Sequence, residues 1–184
     1  MESYTDQELW ISLKQGEREA LSIIFHRHYA SLHQYGYKLT GNTVLVEDCL
    51  QDMFLYLFEK KDSLGMVTYV RAYLFKSFRS RIMRMLRNER KSVYISLEDA
   101  WLVVPNELEV LDRNDAQRRI LAELINKLPP RQRELIFLRY YNDLSPREIA
   151  DMLSISYRAV VNTLYKAMVS LREDKSKLES ERSS

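Results

Sequence analysis

Apolar residues recur every three or four positions along most of the chain, and the breaks in that rhythm mark out its elements. Thr5-Asp6-Gln7-Glu8 spells a capping box, a Thr whose side chain closes the first turn with a Glu three residues on. It predicts a helix with Leu9, Trp10 and Leu13 inward, interrupted at Gly16. A longer helix follows, with Leu21, Ile24, Phe25, His28, Leu32 and Tyr35 along one side. Thr40-Gly41-Asn42 ends it, since Gly suits the left-handed position past a helix C-terminus. Residues 44–61 predict the next helix, with Leu50, Met53, Phe54, Leu57 and Phe58 in the core. Residues 62–68 read as a loop around Gly65. A helix over 70–91 then follows, with Leu74, Phe75, Phe78, Ile82, Met85 and Leu86 as its apolar side.

The helical period is lost over residues 92–115, where VYISL and WLVVP carry no 3.6-residue repeat and Pro105 bars a helix. An acidic connector with short extended pieces is expected there. The period returns at Ala116, with Ile120, Leu121, Leu124 and Leu128. Pro129-Pro130 ends that helix and starts another, through Leu135, Ile136, Leu138 and Tyr140. The expected fold is therefore all-α: two small helical domains joined by an acidic linker, with boundaries at 1–91, 92–115 and 116–172 and a polar tail at 173–184.

The most informative pattern is LSPREIADMLSISYRAVVNTLYKAMVSLR, residues 144–172. Ser145, Pro146 and Glu148 are a cap, a first-turn proline and a capping-box acid. Ile149, Ala150 and Leu153 make one apolar stripe. Ser154-Ile155-Ser156 breaks it, and Val160, Leu164, Ala167, Met168 and Leu171 resume it. The opposite face carries Arg158, Asn162, Tyr165, Lys166 and Val169. Two short helices with a three-residue turn form a helix-turn-helix, whose second helix enters the DNA major groove. A plain helical hairpin is the alternative. Side chains that read bases and anchor phosphates favour DNA, as does the absence of any acid on that helix before Glu173. Ser154 stands where such turns usually hold Gly.

Charge changes the picture by its order, not its sum of +2. Residues 1–70 hold 10 acids and 6 bases, 71–91 hold 8 bases and 1 acid, 92–115 hold 6 acids and 1 base, and 116–184 hold 13 bases and 9 acids. Two basic surfaces flank an acidic connector. On the helix over 70–91, Lys76, Arg79, Arg84, Arg87, Arg90 and Lys91 cover most of the non-core side with only Glu89 to offset them. Nucleic acid is the commonest partner for such a face, and an anionic membrane surface is the alternative. On the helix over 44–61, Asp48, Gln51, Asp52, Leu55 and Glu59 fall within about 100° of arc, an acidic face with a bare leucine at its centre. A solvated face with a stray Leu is one reading. A docking face is the other, an apolar contact inside a ring of charge.

The remaining composition excludes chemistry. No apolar run approaches the roughly 18 residues a membrane span needs, and the start lacks the basic and apolar regions of a signal peptide. Cys49 is alone, which fits a reducing cytoplasm. His26, His28 and His33 do not share one helical face, and Glu47, Asp48 and Asp52 are spread over a wide arc, so no metal site is expected. No Gly-rich phosphate loop or nucleophilic pairing is present. Neither catalytic residues nor a cofactor are expected.

VEDCLQDMFLYLF, residues 46–58, resembles the core-binding helix of bacterial sigma-70 family factors. LPPRQRELIFLRYYNDLSPREIADMLSISYRAVVNTLYKAMVSLR resembles the family's region four, which reads the minus-thirty-five promoter element. The basic helix lies where region two, which reads and melts the minus-ten element, should end. The resemblance covers roughly residues 5–91 and 116–172. The short connector in place of a third domain, and the absence of an N-terminal extension, resemble the small extracytoplasmic-function subgroup. The resemblance implies a cytoplasmic specificity subunit without catalysis, whose partners are core RNA polymerase, promoter DNA and an anti-sigma factor. It implies polymerase docking by Asp48, Gln51, Asp52 and Leu55. Lys76, Arg79, Ser80, Arg84 and Arg87 would hold the minus-ten strand. Arg147, Tyr157, Arg158, Val161, Asn162, Tyr165 and Lys166 would meet the minus-thirty-five element. Ser80 stands where the family often has Asn. A stand-alone helix-turn-helix regulator is the competing function, and the acidic docking face is what separates the two.

Overall fold

A computed structural model describes residues 4–89 and 115–182, with side chains at 4–87 and 120–177. The connector expected over 92–115 lies outside the described residues, except Asp115. The chain divides into two compact units, the first holding α1 to α4 and the second α5, α6, the first part of α7 and α8. Among the described residues there is no strand.

The first unit is α1 (Asp6–Lys14), α2 (Arg18–Thr40), α3 (Thr43–Glu59) and α4 (Val70–Glu89), with a single 3-10 turn at Lys61–Ser63. Thr5 and Glu8 form the capping box on α1 with both of its hydrogen bonds made. Gly41 ends α2 at φ 64, and its N–H reaches the Tyr37 carbonyl. Asn42 then caps α3 by accepting from Leu45 N. Trp10, Leu13, Ile24, Leu32, Tyr35, Leu50, Met53, Leu57, Leu74, Phe75, Phe78 and Ile82 are all but inaccessible and make one core. Gly36 lets α2 come close to its neighbours, since a Cβ there would stand 2.8 Å from the Phe78 ring and 3.0 Å from Val46 Cγ2.

The second unit is α5 (Asp115–Lys127), α6 (Pro130–Ile136), a π-helical turn (Phe137–Tyr141), α7 (Pro146–Leu153) and α8 (Tyr157–Arg182). Leu124, Leu128, Leu135, Leu138, Leu144, Ile149, Val160 and Ala167 fill its core. Leu121, one turn before Leu124 on the same stripe, stays 46% exposed. Two features depart from the sequence reading. The helix from Pro130 widens into the π turn, where Asn142 N donates to Phe137 O at 3.2 Å. The span read as a polar tail from 173 continues α8, because Glu, Lys and Arg propagate a helix already nucleated by packing.

Candidate protein and nucleic-acid interfaces

On α3 the buried stripe of Leu45, Val46, Cys49, Leu50, Met53, Phe54 and Leu57 fixes which side faces outward. That side carries Asp48, Gln51, Asp52 and Leu55, all exposed, as is Glu59. Leu55 is 54% exposed on a helix whose other leucines are buried. Cys49 lies just beneath this face. Burial, reinforced by the nearby Asp52 charge, pushes its thiol up to about 11, so it stays protonated and unreactive near neutrality.

An open groove between α2 and α3 runs alongside. Leu21, Phe25 and Tyr29 line it from α2, and Leu50, Phe54 and Phe58 from α3, with Gln51 and Leu55 also in its lining. Phe58, expected in the core, is only half-buried, as is Phe25. Phe25 meets Phe54 edge to face at 5.0 Å. The signal was present in the sequence: Leu21, Phe25 and Tyr29 recur at i, i+4, i+8, a second stripe beside the one through Ile24, His28, Leu32 and Tyr35.

On α4, Lys76, Arg79, Ser80, Arg84 and Arg87 fall within about 140° of arc. Ser80, Arg84 and Arg87 are exposed, while Lys76 and Arg79 are half-buried. Arg87 Nε donates to Met83 O at 3.1 Å, which steadies the stem without neutralising the charge. Arg81 lies off this face, its guanidinium 4.8 Å from the centre of the Tyr56 ring.

The helix-turn-helix is built as its caps dictate. Ser145 N donates to Glu148 Oε2 at 2.8 Å, and Glu148 N to Ser145 Oγ at 3.3 Å, a reciprocal capping box on α7. The turn closes with Ile155 N donating to Ala150 O at 3.1 Å. Ser154 takes the left-handed conformation, φ 53, that this closure needs. Ser156 Oγ then caps α8 by accepting from Ala159 N at 3.1 Å. With Val160, Leu164 and Ala167 buried, α8 exposes Tyr157, Arg158, Val161, Asn162, Tyr165 and Lys166. Arg147 is exposed on the first turn of α7. All seven residues singled out from the sequence therefore face outward on this motif.

Among the described residues no three of His, Cys, Asp and Glu converge as a metal site would require. His28 is buried, and its Nε2 lies 2.7 Å from Asp6 Oδ2. Burial raises the Asp6 pKa, but hydrogen bonds and charge from His28 and Arg27 outweigh it and leave the carboxyl below its usual value. No described helix is long and apolar enough to cross a membrane.

Comparison with known proteins agrees with this architecture. The family described as Sigma-70 region 2 matches residues 24–92, and that described as Sigma-70, region 4 matches residues 118–171. The chain is 24% identical over 176 residues to the ECF RNA polymerase sigma factor SigW of Bacillus subtilis, covering 88% of this chain and 91% of that one. It is 28% identical over 159 residues to ECF RNA polymerase sigma factor SigL of Mycobacterium tuberculosis, covering 85% and 89%. Its fold is similar to that of CnrH in complex with the cytosolic domain of CnrY, with a TM-score of 0.64 at 20% identity, covering 94% and 97%. It is also similar to the sigma factor RpoE in complex with the anti-sigma factor NepR from Bartonella quintana, with a TM-score of 0.59 at 20% identity, covering 83% and 94%.

Proposed function

We infer the work of each surface from one premise: the chain belongs to the sigma-70 family of RNA polymerase sigma factors, in the extracytoplasmic-function subgroup. Its function is therefore that of a specificity subunit, not an enzyme: it binds core RNA polymerase and directs it to promoters for initiation. The assignment of residues is our proposal. Asp48, Gln51, Asp52 and Leu55 dock on the polymerase. Lys76, Arg79, Ser80, Arg84 and Arg87 hold the minus-ten strand. Arg147, Tyr157, Arg158, Val161, Asn162, Tyr165 and Lys166 meet the minus-thirty-five element. The domains are 1–91, 92–115 as linker and 116–172. An anti-sigma factor is a further partner, as for the similar RpoE chain, and the protein acts in the cytoplasm, where polymerase and promoter are.

One observation carries the docking assignment: a leucine 54% exposed among Asp48, Gln51 and Asp52, directly opposite the core stripe of α3. Nothing inside the fold requires a leucine there, whereas an interface does, since a desolvated apolar contact inside a polar rim is where binding energy concentrates. Leu55→Asp and Asp52→Arg should each weaken co-elution with core polymerase at least tenfold. Their circular dichroism should stay native, because such surface changes shift stability by about 0.5 kcal/mol or less. Wild-type association in both variants would remove the docking face. A wild-type chain that binds DNA but never co-elutes with core polymerase would restore the stand-alone regulator.

A further inference from the structure

We propose that Gln7 and Trp10 of α1 are positioning residues for the minus-ten strand. They hold loop 64–69 at the head of the basic face of α4, so that Met66 and Tyr69 meet unstacked bases. The proposal rests on the reading of α4 as the helix that holds that strand.

The loop leaves the 3-10 turn with Leu64 N still bonded to Lys60 O and Lys61 O. Beyond it, two α1 side chains reach the loop backbone. Trp10 Nε1 donates to Gly65 O at 3.1 Å, and Gln7 Nε2 donates to Val67 O. Trp10 is itself fully buried and meets Tyr73, in the first turn of α4, edge to face at 5.1 Å. One indole thus ties the loop to the helix it precedes. Nothing presses on the loop from outside at Gly65, where an added Cβ would meet no atom within 4 Å.

What the brace holds outward is apolar surface. Met66 is 61% and Tyr69 37% exposed, and no acid lies between Leu64 and Lys76. Continued along α4 at 100° per residue, Tyr69, Tyr73, Lys76, Ser80 and Arg87 share one face. Aromatic or flat apolar side chains leading into a row of cations is the composition that binds single strands, by stacking the bases and tracking the backbone.

The brace is itself anchored from the other side. Asp6 pairs with Arg27 at 2.6 Å and with buried His28 at 2.7 Å, and Arg27 Nη2 donates to the Tyr4 carbonyl. These contacts tie α1 to α2 independently of the loop.

The test uses the full chain in holoenzyme. The probe is a duplex promoter selected from a randomised library on wild-type holoenzyme, with 2-aminopurine in its minus-ten element to report unstacking. Gln7→Leu/Trp10→Phe removes both donors and keeps a buried ring. Core association and duplex binding should stay within about twofold of wild type, while minus-ten opening falls about tenfold, as loss of two ordering hydrogen bonds implies. Chymotrypsin should also cut the loop at 66–69 faster. If the double variant melts early, Gln7→Leu alone decides, with an expected loss of about threefold. Opening within twofold of wild type in a folded variant overturns the proposal. Arg84→Ala tests the premise: if it leaves opening unchanged, α4 does not hold the strand and the proposal falls with it. If Arg84→Ala lowers opening and the α1 variants do not, only the brace is wrong.

Discussion

Ser154 is a non-glycine residue held in the left-handed region at the turn between α7 and α8. The Ser-Ile-Ser turn departs from the glycine usual in a helix-turn-helix, and a different backbone path would have been one way to accommodate it. The chain instead keeps the path and places Ser154 at φ 53. The hydrogen bond from Ile155 N to Ala150 O and the Ser156 cap on α8 are both made, so the surrounding bonds over-determine the strained residue. A side chain in the left-handed region costs about 1 kcal/mol, which glycine does not incur. Ser154→Gly should therefore stabilise the protein by up to about 1 kcal/mol, read as a higher denaturant midpoint in urea. Binding to minus-thirty-five DNA should be unchanged, because the turn is already in the shape glycine would adopt. A lower midpoint would mean that Ser154 carries an interaction worth more than its strain.

Helices were the most legible element, because a 3.6-residue apolar period, with a cap at the starts of α1, α3, α7 and α8, constrains both type and limits. Thr5/Glu8, Ser145/Glu148 and Ser156 each make the hydrogen bond their positions imply. Where two elements meet, the sequence said less. The pattern through Phe25 and Phe58 cannot distinguish a core contact from the wall of a groove, since both want aromatic residues. The π turn at Phe137–Tyr141 is equally silent, because one inserted residue leaves the composition of a helix unchanged. Gly36 is a third case. In a helix interior, Gly→Ala ordinarily stabilises by roughly 1 kcal/mol. Here the new methyl would stand 2.8 Å from two atoms of the fully buried Phe78 ring. Overpacking of that kind costs about 1–3 kcal/mol and reverses the sign. Gly36→Ala should lower the thermal midpoint of the unit formed by α1 to α4, and Gly36→Ala with Phe78→Leu should recover part of the loss. A single variant more stable than wild type would show that α2 has room to move.

At the scale of the whole molecule, a net charge of +2 conceals a segmented order, with acid on α3 and base on α4 and α8, which we propose serve a protein partner and DNA respectively. The residue roles in that order remain proposals, and α8 gives the sharpest way to separate them. Arg158 and Asn162 lie one turn apart near the start of the helix, both exposed, and the first turns of such a helix meet base edges. A bidentate Arg–guanine or Asn–adenine contact discriminates by about 1–3 kcal/mol. Lys166 is exposed one turn further on, where the helix meets backbone, and a lysine–phosphate contact carries no sequence information. The two substitutions should therefore fail differently. Arg158→Ala should relax preference at one position of the minus-thirty-five element and leave binding to sequences already mismatched there nearly unchanged. Lys166→Ala should weaken all promoters alike and lower the slope of log affinity against log salt by about one unit. Holoenzyme binding to a promoter library at several salt concentrations reads both quantities from one data set. Arg158→Ala weakening every sequence equally would make Arg158 a backbone contact and leave the base reading to Asn162 and its exposed neighbours Tyr157, Val161 and Tyr165.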